Sequence, residues 1–468
     1  MYRTFGNSGK TRVRMAQSEE ARRAMRIACP ADEGAFLRDY AATARLRALP
    51  KAQLHMHGDA ILRPRRICDA LAAFNASPEP RLARARAELG AEAAAGSVRA
   101  QHLLPLLDRP TLAMPGPLWT PDGRVATCTL RQFDDACPIA GATGWNDDGE
   151  LWHGMGGSRD MALVVSIAGA SARSAEAWAE ASEDAVREGI RWVEYAVGGP
   201  ADDAAGAVRI RAEAWTEWRD GLLALRQHAL DAVPEVGIAL VVCPSTPSGA
   251  YAAAFAAHLR AEPDGRLREA VRGVGQVGAS DPAERVEAYA IFRAAGLVAV
   301  NVHAGEWTVA RPALVAQSRA SVRSAVEVAG ARRIGHGIIA AGDAELCALL
   351  RERNVCLEVC LLSNRALDNC PLGLAHHPLP ALLAAGVPCC LATDNAYKLA
   401  APNAMGLVRE YQCAAELLGL DARSLAALAA ASFEHSLAPA HVKARALADI
   451  GAWLNREERA AAGLAAVE

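Results

Sequence analysis

From about residue 180 onward, short runs of β-branched and apolar residues alternate with Ala-, Leu-, Glu- and Arg-rich stretches of helical length. That alternation restricts the chain to a parallel sheet with covering helices. The runs are Arg191 to Val197, Val236 to Cys243, Val298 to His303, Val355 to Val359 and Pro388 to Thr393. Gln53 to His57 near the start, Arg272 to Val277 and a short Arg333 to Gly335 bring the number of candidate strands to eight. Between them lie stretches such as Ser174 to Gly189, rich in helix formers and closed by the glycine expected after a helix. Eight strands alternating with helices predict an α/β fold of the closed (β/α)8 TIM-barrel type. The 468 residues, 52% hydrophobic and 22% charged, suffice for one such barrel with insertions.

Two regions fall outside this rhythm. Residues 1–46 form an Arg-rich N-terminal extension, and the barrel domain is expected over 47–468. A helical and loop insertion is expected over about 75–160, between the first and second strands. Its Pro- and Gly-rich part, ending in GATGWNDDGELWHGMGG (Gly141 to Gly157), reads as loop or lid rather than core. Trp145, Asp147, Asp148, Trp152 and His153 would offer stacking and acidic groups there.

A formal charge of −3 offers no strong field for a nucleic-acid backbone or an anionic lipid surface, so a small-molecule partner is expected, with no nucleic acid and no membrane. No apolar run reaches the roughly 18 residues of a membrane span, and the first twenty residues lack the apolar core of a secretory signal. The expected location is the cytoplasm. The twelve cysteines are scattered and several sit inside apolar runs, which points to buried reduced thiols. Cys356, Cys360, Cys389 and Cys390 lack Cys-x-x-Cys spacing and read as core packing rather than metal ligands. Asn7 to Thr11, NSGKT, is not a phosphate-binding loop: Thr4 stands where the first glycine is needed, and no buried strand precedes it.

Four short segments carry chemistry. His55 and His57, two positions apart at the end of the first strand, would face the barrel interior together at its C-terminal mouth. In VAVNVHAGE, His303 closes the fifth strand and offers a third imidazole, while Glu306 in the following loop can point at substrate. His336 stands between Gly335 and Gly337, which let the backbone approach closely. Asp394 follows the apolar run Val387 to Leu391, where a buried carboxylate needs a cation or hydrogen-bond donors. Three imidazoles and one carboxylate, with a position open to water, make a catalytic zinc arrangement.

In order and local context, LHMHGDA, VNVHAGE, RIGHGI, LEVCLLSN and LATDN resemble the signature segments of the adenosine deaminase family within the amidohydrolase superfamily, over roughly residues 47 to 440. The resemblance implies a (β/α)8 barrel holding one Zn2+ through His55, His57, His303 and Asp394. It implies that Glu306 gives a proton to the purine nitrogen beside the reacting carbon. His336 would orient the water and take its proton, with Asp394 assisting. Proton donation requires Glu306 to start protonated in a closed pocket. Asp59 matches an aspartate that contacts the ribose 5′-hydroxyl, where relatives acting on free adenine carry glutamate. Gly278, in RGVGQVGASD, matches a glycine whose backbone amide contacts the purine.

The chain departs from the family pattern in places. Asn395 replaces a second aspartate that bonds the purine imidazole nitrogen, and its NH₂ can donate to that atom instead. Gly275 stands where aspartate is common. Cys360-Leu361 replaces a usual Cys-Pro, and Glu194-Tyr195-Ala196 lacks the arginine commonly found on the second strand. The expected activity is hydrolytic deamination of adenosine or a closely related 6-aminopurine nucleoside to the 6-oxo product and ammonia. The alternatives are a deaminase of an N6-substituted or 5′-extended nucleoside or of adenine, and a catalytically silent nucleoside-binding barrel.

Overall fold

The computed structural model describes residues 44–58, 61–62, 78–94, 174–200, 210–244, 248–277, 281–306, 314–366, 369–370, 373–395 and 406–463. Each of the eight expected runs carries a strand: β1 (Lys51–His57), β2 (Ile190–Val197), β3 (Gly237–Val242), β4 (Val271–Gln276), β5 (Val298–Ala304), β6 (Arg333–His336), β7 (Cys356–Val359) and β8 (Cys389–Leu391). They stand in sequence order, and every neighbouring pair is parallel. The two outer strands meet through a parallel bridge between Met56 and Asp394. There Asp394 N donates to His55 O (2.9 Å) and His57 N donates to Asp394 O (3.1 Å). The sheet therefore curls into the expected barrel, and its seam closes at the C-terminal mouth.

Local sequence explains how the strands are delivered. Ser174 caps the helix Ala175–Arg187, its side chain accepting from Ala177 N, and Gly189 ends the turn at φ +74°. A Cβ at Gly189 would lie 2.1 Å from Arg47 O, so the approach of β1 to β2 admits only glycine there. Gly189 O then accepts from Lys51 N, which starts the β1–β2 pairing. The helix Ala422–Glu434 lies against β1, with Ser432 Oγ accepting from Ala52 N.

The barrel interior is layered. At the bottom, His435 O and Leu437 N reach in to bond Arg333 Nη1 (2.7 Å) and Glu194 Oε1 (2.5 Å). Ala196, Val241, Cys243 and Val300 form a small apolar cluster inside the strands. Arg333, Glu194 and Glu358 are fully buried within the barrel, and Glu358 in turn faces the histidines near the mouth. Among the described residues no helix is long and apolar enough to cross a membrane. All eight described cysteines that are free are buried, including Cys356, Cys360, Cys389 and Cys390, as expected of core thiols.

Part of the insertion is helical, as expected: Pro78–Ala94 forms a helix, since PEPRLARARAELGAEAA is dense in helix formers and opens on proline. Residues 95–173, with Trp145, Asp147, Asp148, Trp152 and His153, lie outside the described residues, as does the extension up to residue 43.

Candidate active site

At the mouth of the barrel the structure brings His55, His57, His303 and Asp394 together, their ligand atoms all within 4.8 Å of one another. All but His57 are buried. Asp394 Oδ1 lies 2.9 Å from His57 Nε2 and 3.6 Å from His55 Nε2. Such separations need positive charge between nitrogen and oxygen, from a proton or a metal ion. His303 distinguishes the two. Its Nδ1 lies 2.7 Å from the carbonyl of Gln276, which only accepts, so Nδ1 carries the ring proton and Nε2 is a bare lone pair. Burial, with His55 and His336 adding to it, holds the His303 imidazole well below its usual pKa and so neutral. A bare imidazole nitrogen converging with a carboxylate calls for a cation, and three nitrogens with one oxygen fit a single zinc ion.

The backbone is strained where the chemistry gathers. Asp394 sits at φ 59° and His336 at φ 65°, left-handed conformations rare for residues with side chains. Asp394 is held by the bridge to Met56, by Ser363 Oγ donating to Oδ2 (2.6 Å) and by Asn395 Nδ2 donating to Oδ1 (3.0 Å). Burial alone would lift the Asp394 carboxyl; hydrogen bonds with His55 and His57 hold it well below the usual carboxylate range. Gly335 is required by the histidines themselves, since a Cβ there would meet His55 Cε1 at 2.9 Å and His303 Nδ1 at 3.3 Å.

Beside the ligand set stand the two expected proton-handling residues. Glu306 follows Gly305, which turns the chain at φ +66°, and its Oε1 lies 3.6 Å from His336 Nε2. His336 is buried, and burial together with neighbouring His55 pushes its imidazole down to about 3. Asn395 is placed at the same mouth with its amide turned to Asp394. Asp59 and Gly278 lie outside the described residues.

A set of residues behind the ligands was not foreseen. Glu358 Oε2 lies 3.2 Å from His55 Nδ1, and Glu358 Oε1 accepts from Arg333 Nε (2.6 Å). Arg333 Nη2 donates to Glu194 Oε2 (2.6 Å), and Glu194 Oε1 accepts from Trp192 Nε1 (2.9 Å) and Leu437 N. Burial works against the Glu358 charge, yet Arg333 and then His55 hold its pKa below the usual value. Glu194, singled out above for the arginine missing beside it, therefore belongs to a buried ion-pair chain beneath the site. The signal available was a glutamate inside the apolar run CLEV, which a buried strand tolerates only with a partner.

The change from Cys-Pro to Cys360-Leu361 also has a physical reason. Leu361 N and Leu362 N donate to the buried Glu410 carboxylate (2.7 and 3.3 Å), fixing the start of the helix Leu361–Ala366. Proline has no N–H to give.

Three imidazoles and a carboxylate at the C-terminal mouth of a (β/α)8 barrel, with a carboxyl and a fourth imidazole beside them, define a metal-dependent hydrolase site. The sequence profile described as "Adenosine deaminase" matches residues 176–453. A "Putative adenosine/adenine deaminase" of Streptomyces coelicolor is 30% identical over 381 residues, covering 77% of this chain and 94% of that protein. An aminodeoxyfutalosine deaminase of Acidothermus cellulolyticus is 35% identical over 220 residues, 46% of this chain and 58% of that one's length. Among solved structures, an adenine deaminase from Arthrobacter aurescens superposes with a TM-score of 0.56 at 20% identity, over 87% of this chain and 99% of that one. The chain belongs to the adenosine deaminase family, whose barrels are hydrolases acting on a C–N bond.

Proposed function

We propose that the protein hydrolytically deaminates adenosine or a closely related 6-aminopurine nucleoside, giving the 6-oxo compound and ammonia. The observation that supports this most is Glu306 set 3.6 Å from His336 beside the convergent ligand set. A binding protein has no use for a carboxyl and an imidazole so placed beside a metal site.

Zinc, held by His55, His57, His303 and Asp394, supplies a water acidified to react near neutral pH. The chain's own groups do the rest. Addition of water oxygen to C6 pushes an electron pair onto the adjacent ring nitrogen, and the Glu306 carboxyl gives that nitrogen a proton. His336 and Asp394 orient the attacking oxygen, with Ser363 and Asn395 fixing Asp394 in turn. Asp394 takes one proton from the water as its oxygen adds and passes it to the C6 amino group, which leaves as ammonia, while the C6 hydroxyl returns its proton to Glu306 and leaves the 6-oxo ring. Asp59 would hold the ribose 5′-hydroxyl, Gly278 N–H the purine, and Asn395 the imidazole edge of the base. Relatives carry names that include adenine deaminase and aminodeoxyfutalosine deaminase. The second reading is therefore an adenine-type substrate with a different group, or none, on the imidazole nitrogen.

The test is ammonia release from adenosine, 2′-deoxyadenosine, adenine, AMP and N6-methyladenosine by the parent and by Glu306→Gln. The substitution keeps size and hydrogen bonding but removes the transferable proton. Metal content and nucleoside binding should persist while turnover falls by at least about 10²- to 10⁴-fold. Turnover within about threefold of the parent would remove the proton-donor role, and turnover of adenine alone would remove the nucleoside reading.

A further inference from the structure

Behind His336 runs a line of buried polar groups whose direction is set by one main-chain N–H. Leu379 N lies 3.0 Å from His377 Nδ1 and, as a backbone amide, only donates. Nδ1 of His377 therefore accepts, and in the neutral ring the proton sits on Nε2. That Nε2 lies 3.1 Å from Asn364 Oδ1 and donates to it. The Asn364 amide nitrogen is then turned to His336, 3.3 Å from its Nδ1. An amide NH₂ only donates, so Nδ1 of His336 accepts, and the single proton of neutral His336 sits on Nε2. That nitrogen is buried, has no hydrogen-bond partner within the described residues, and lies 3.6 Å from Glu306 Oε1.

We infer that Asn364 and His377 are positioning residues that lock His336 as its Nε2–H tautomer, so that it meets the reacting groups as a hydrogen-bond donor. The inference rests on the reading of this mouth as the deaminase centre, and it revises the expectation that His336 takes a proton from water. To accept at Nε2, neutral His336 would have to carry its proton on Nδ1, facing the Asn364 amide. Turning Asn364 over to receive it sets the amide nitrogen against the Nε2–H of His377. Moving that proton in turn sets Nδ1–H against Leu379 N–H. Every reversal leaves two donors face to face at one link. His336, Asn364 and His377 are 1%, 0% and 3% exposed, so bulk water is not there to relieve it.

The experiment uses the full chain with ¹⁵N-labelled histidine and long-range ¹H–¹⁵N correlation at pH 7.5, which distinguishes protonated from bare ring nitrogens. A His336→Gln sample identifies the His336 signals. The parent should show a bare Nδ1 and a protonated Nε2 at His336, and the same at His377. In Asn364→Asp, whose carboxylate accepts but does not donate, the His336 proton should move to Nδ1 with zinc content unchanged. On a substrate that the parent turns over, kcat should fall about 10²- to 10³-fold, the loss typical of removing one oriented donor, with KM nearly constant. A proton on Nδ1 of His336 in the parent overturns the inference, and so does an unaltered tautomer in Asn364→Asp. The parent spectrum alone decides the case if the variant does not fold. Because the spectrum needs no substrate, failure of the deaminase reading shows itself separately, as absence of turnover with the tautomer as described.

Discussion

Replacing Arg333 by leucine tests whether the buried ion-pair chain supports the metal site. The guanidinium makes three hydrogen bonds, to Glu358, Glu194 and the carbonyl of His435, with no exposed surface on any of the three side chains. Glu194 would keep Trp192 and Leu437 as donors, but Glu358 would keep only His55. Removing one partner of a buried pair costs about 3–5 kcal/mol, because the other charge stays behind without compensation. With an unfolding entropy of roughly 2.1 cal/mol/K per residue, a chain of this length should lose roughly 3–5 °C in Tm, measured on metal-free protein so that binding does not mask it. The deficit has a definite pH dependence. In the parent, Arg333 and His55 hold the Glu358 pKa below its unfolded value, a contribution present at neutral pH and lost as pH falls through the folded value. In the variant the orphaned carboxyl is raised by burial and takes up a proton first. The gap between the two proteins should therefore be widest near pH 7 and narrow toward acid. Zinc affinity, from chelator competition, should weaken by about 10- to 100-fold as His55 loses its oriented partner. A Tm change under about 1 °C at pH 7, or a gap independent of pH, would refute the reasoning.

Two further outcomes are expected. His303→Ala removes the ligand whose tautomer Gln276 O fixes, so bound zinc and turnover should both disappear, with zinc affinity down by more than about 10²-fold; full activity with retained zinc would contradict the ligand set. Leu361→Pro removes the N–H given to Glu410 and should cost about 1–3 kcal/mol in chemical denaturation, whereas Leu361→Ala, which keeps that N–H, should cost less of the capping energy. A proline variant as stable as the alanine variant would show that the hydrogen bond carries little.

The convergence of the four proposed ligands was legible because each sits at the end of an apolar strand, where period-two alternation fixes which side chains enter the barrel. His55 and His57 share a face for that reason, and Asp394 stood out as a carboxylate ending a buried run. Glu306 and His336 were legible through Gly305 and Gly337, whose positive φ values turn the chain at those points. Arg333, Glu358 and Glu194 were not, because their pairing depends on three strands meeting across the barrel interior, and no local spacing records it. The same holds for His377, which reaches His336 only through Asn364 from a separate segment. The helix at Pro78–Ala94, by contrast, was readable from propensity alone, as the helical part expected of the insertion.

The seam between β1 and β8 has a consequence for how the molecule comes to exist. Gln53 and Thr393, which bond each other across that seam, are 340 positions apart. Such a closure carries the largest loop entropy in the sheet, so it belongs among the late events of folding, after neighbouring strands have paired locally. During synthesis β1 stays an open edge until nearly the whole chain has emerged, with His55 and His57 already on it. With the proposed ligands drawn from both sides of this gap, a zinc ion would be a clasp on a ring that the backbone joins at one bridge. Zinc availability would then govern how long the nascent barrel stays open to mispairing, before any substrate is met.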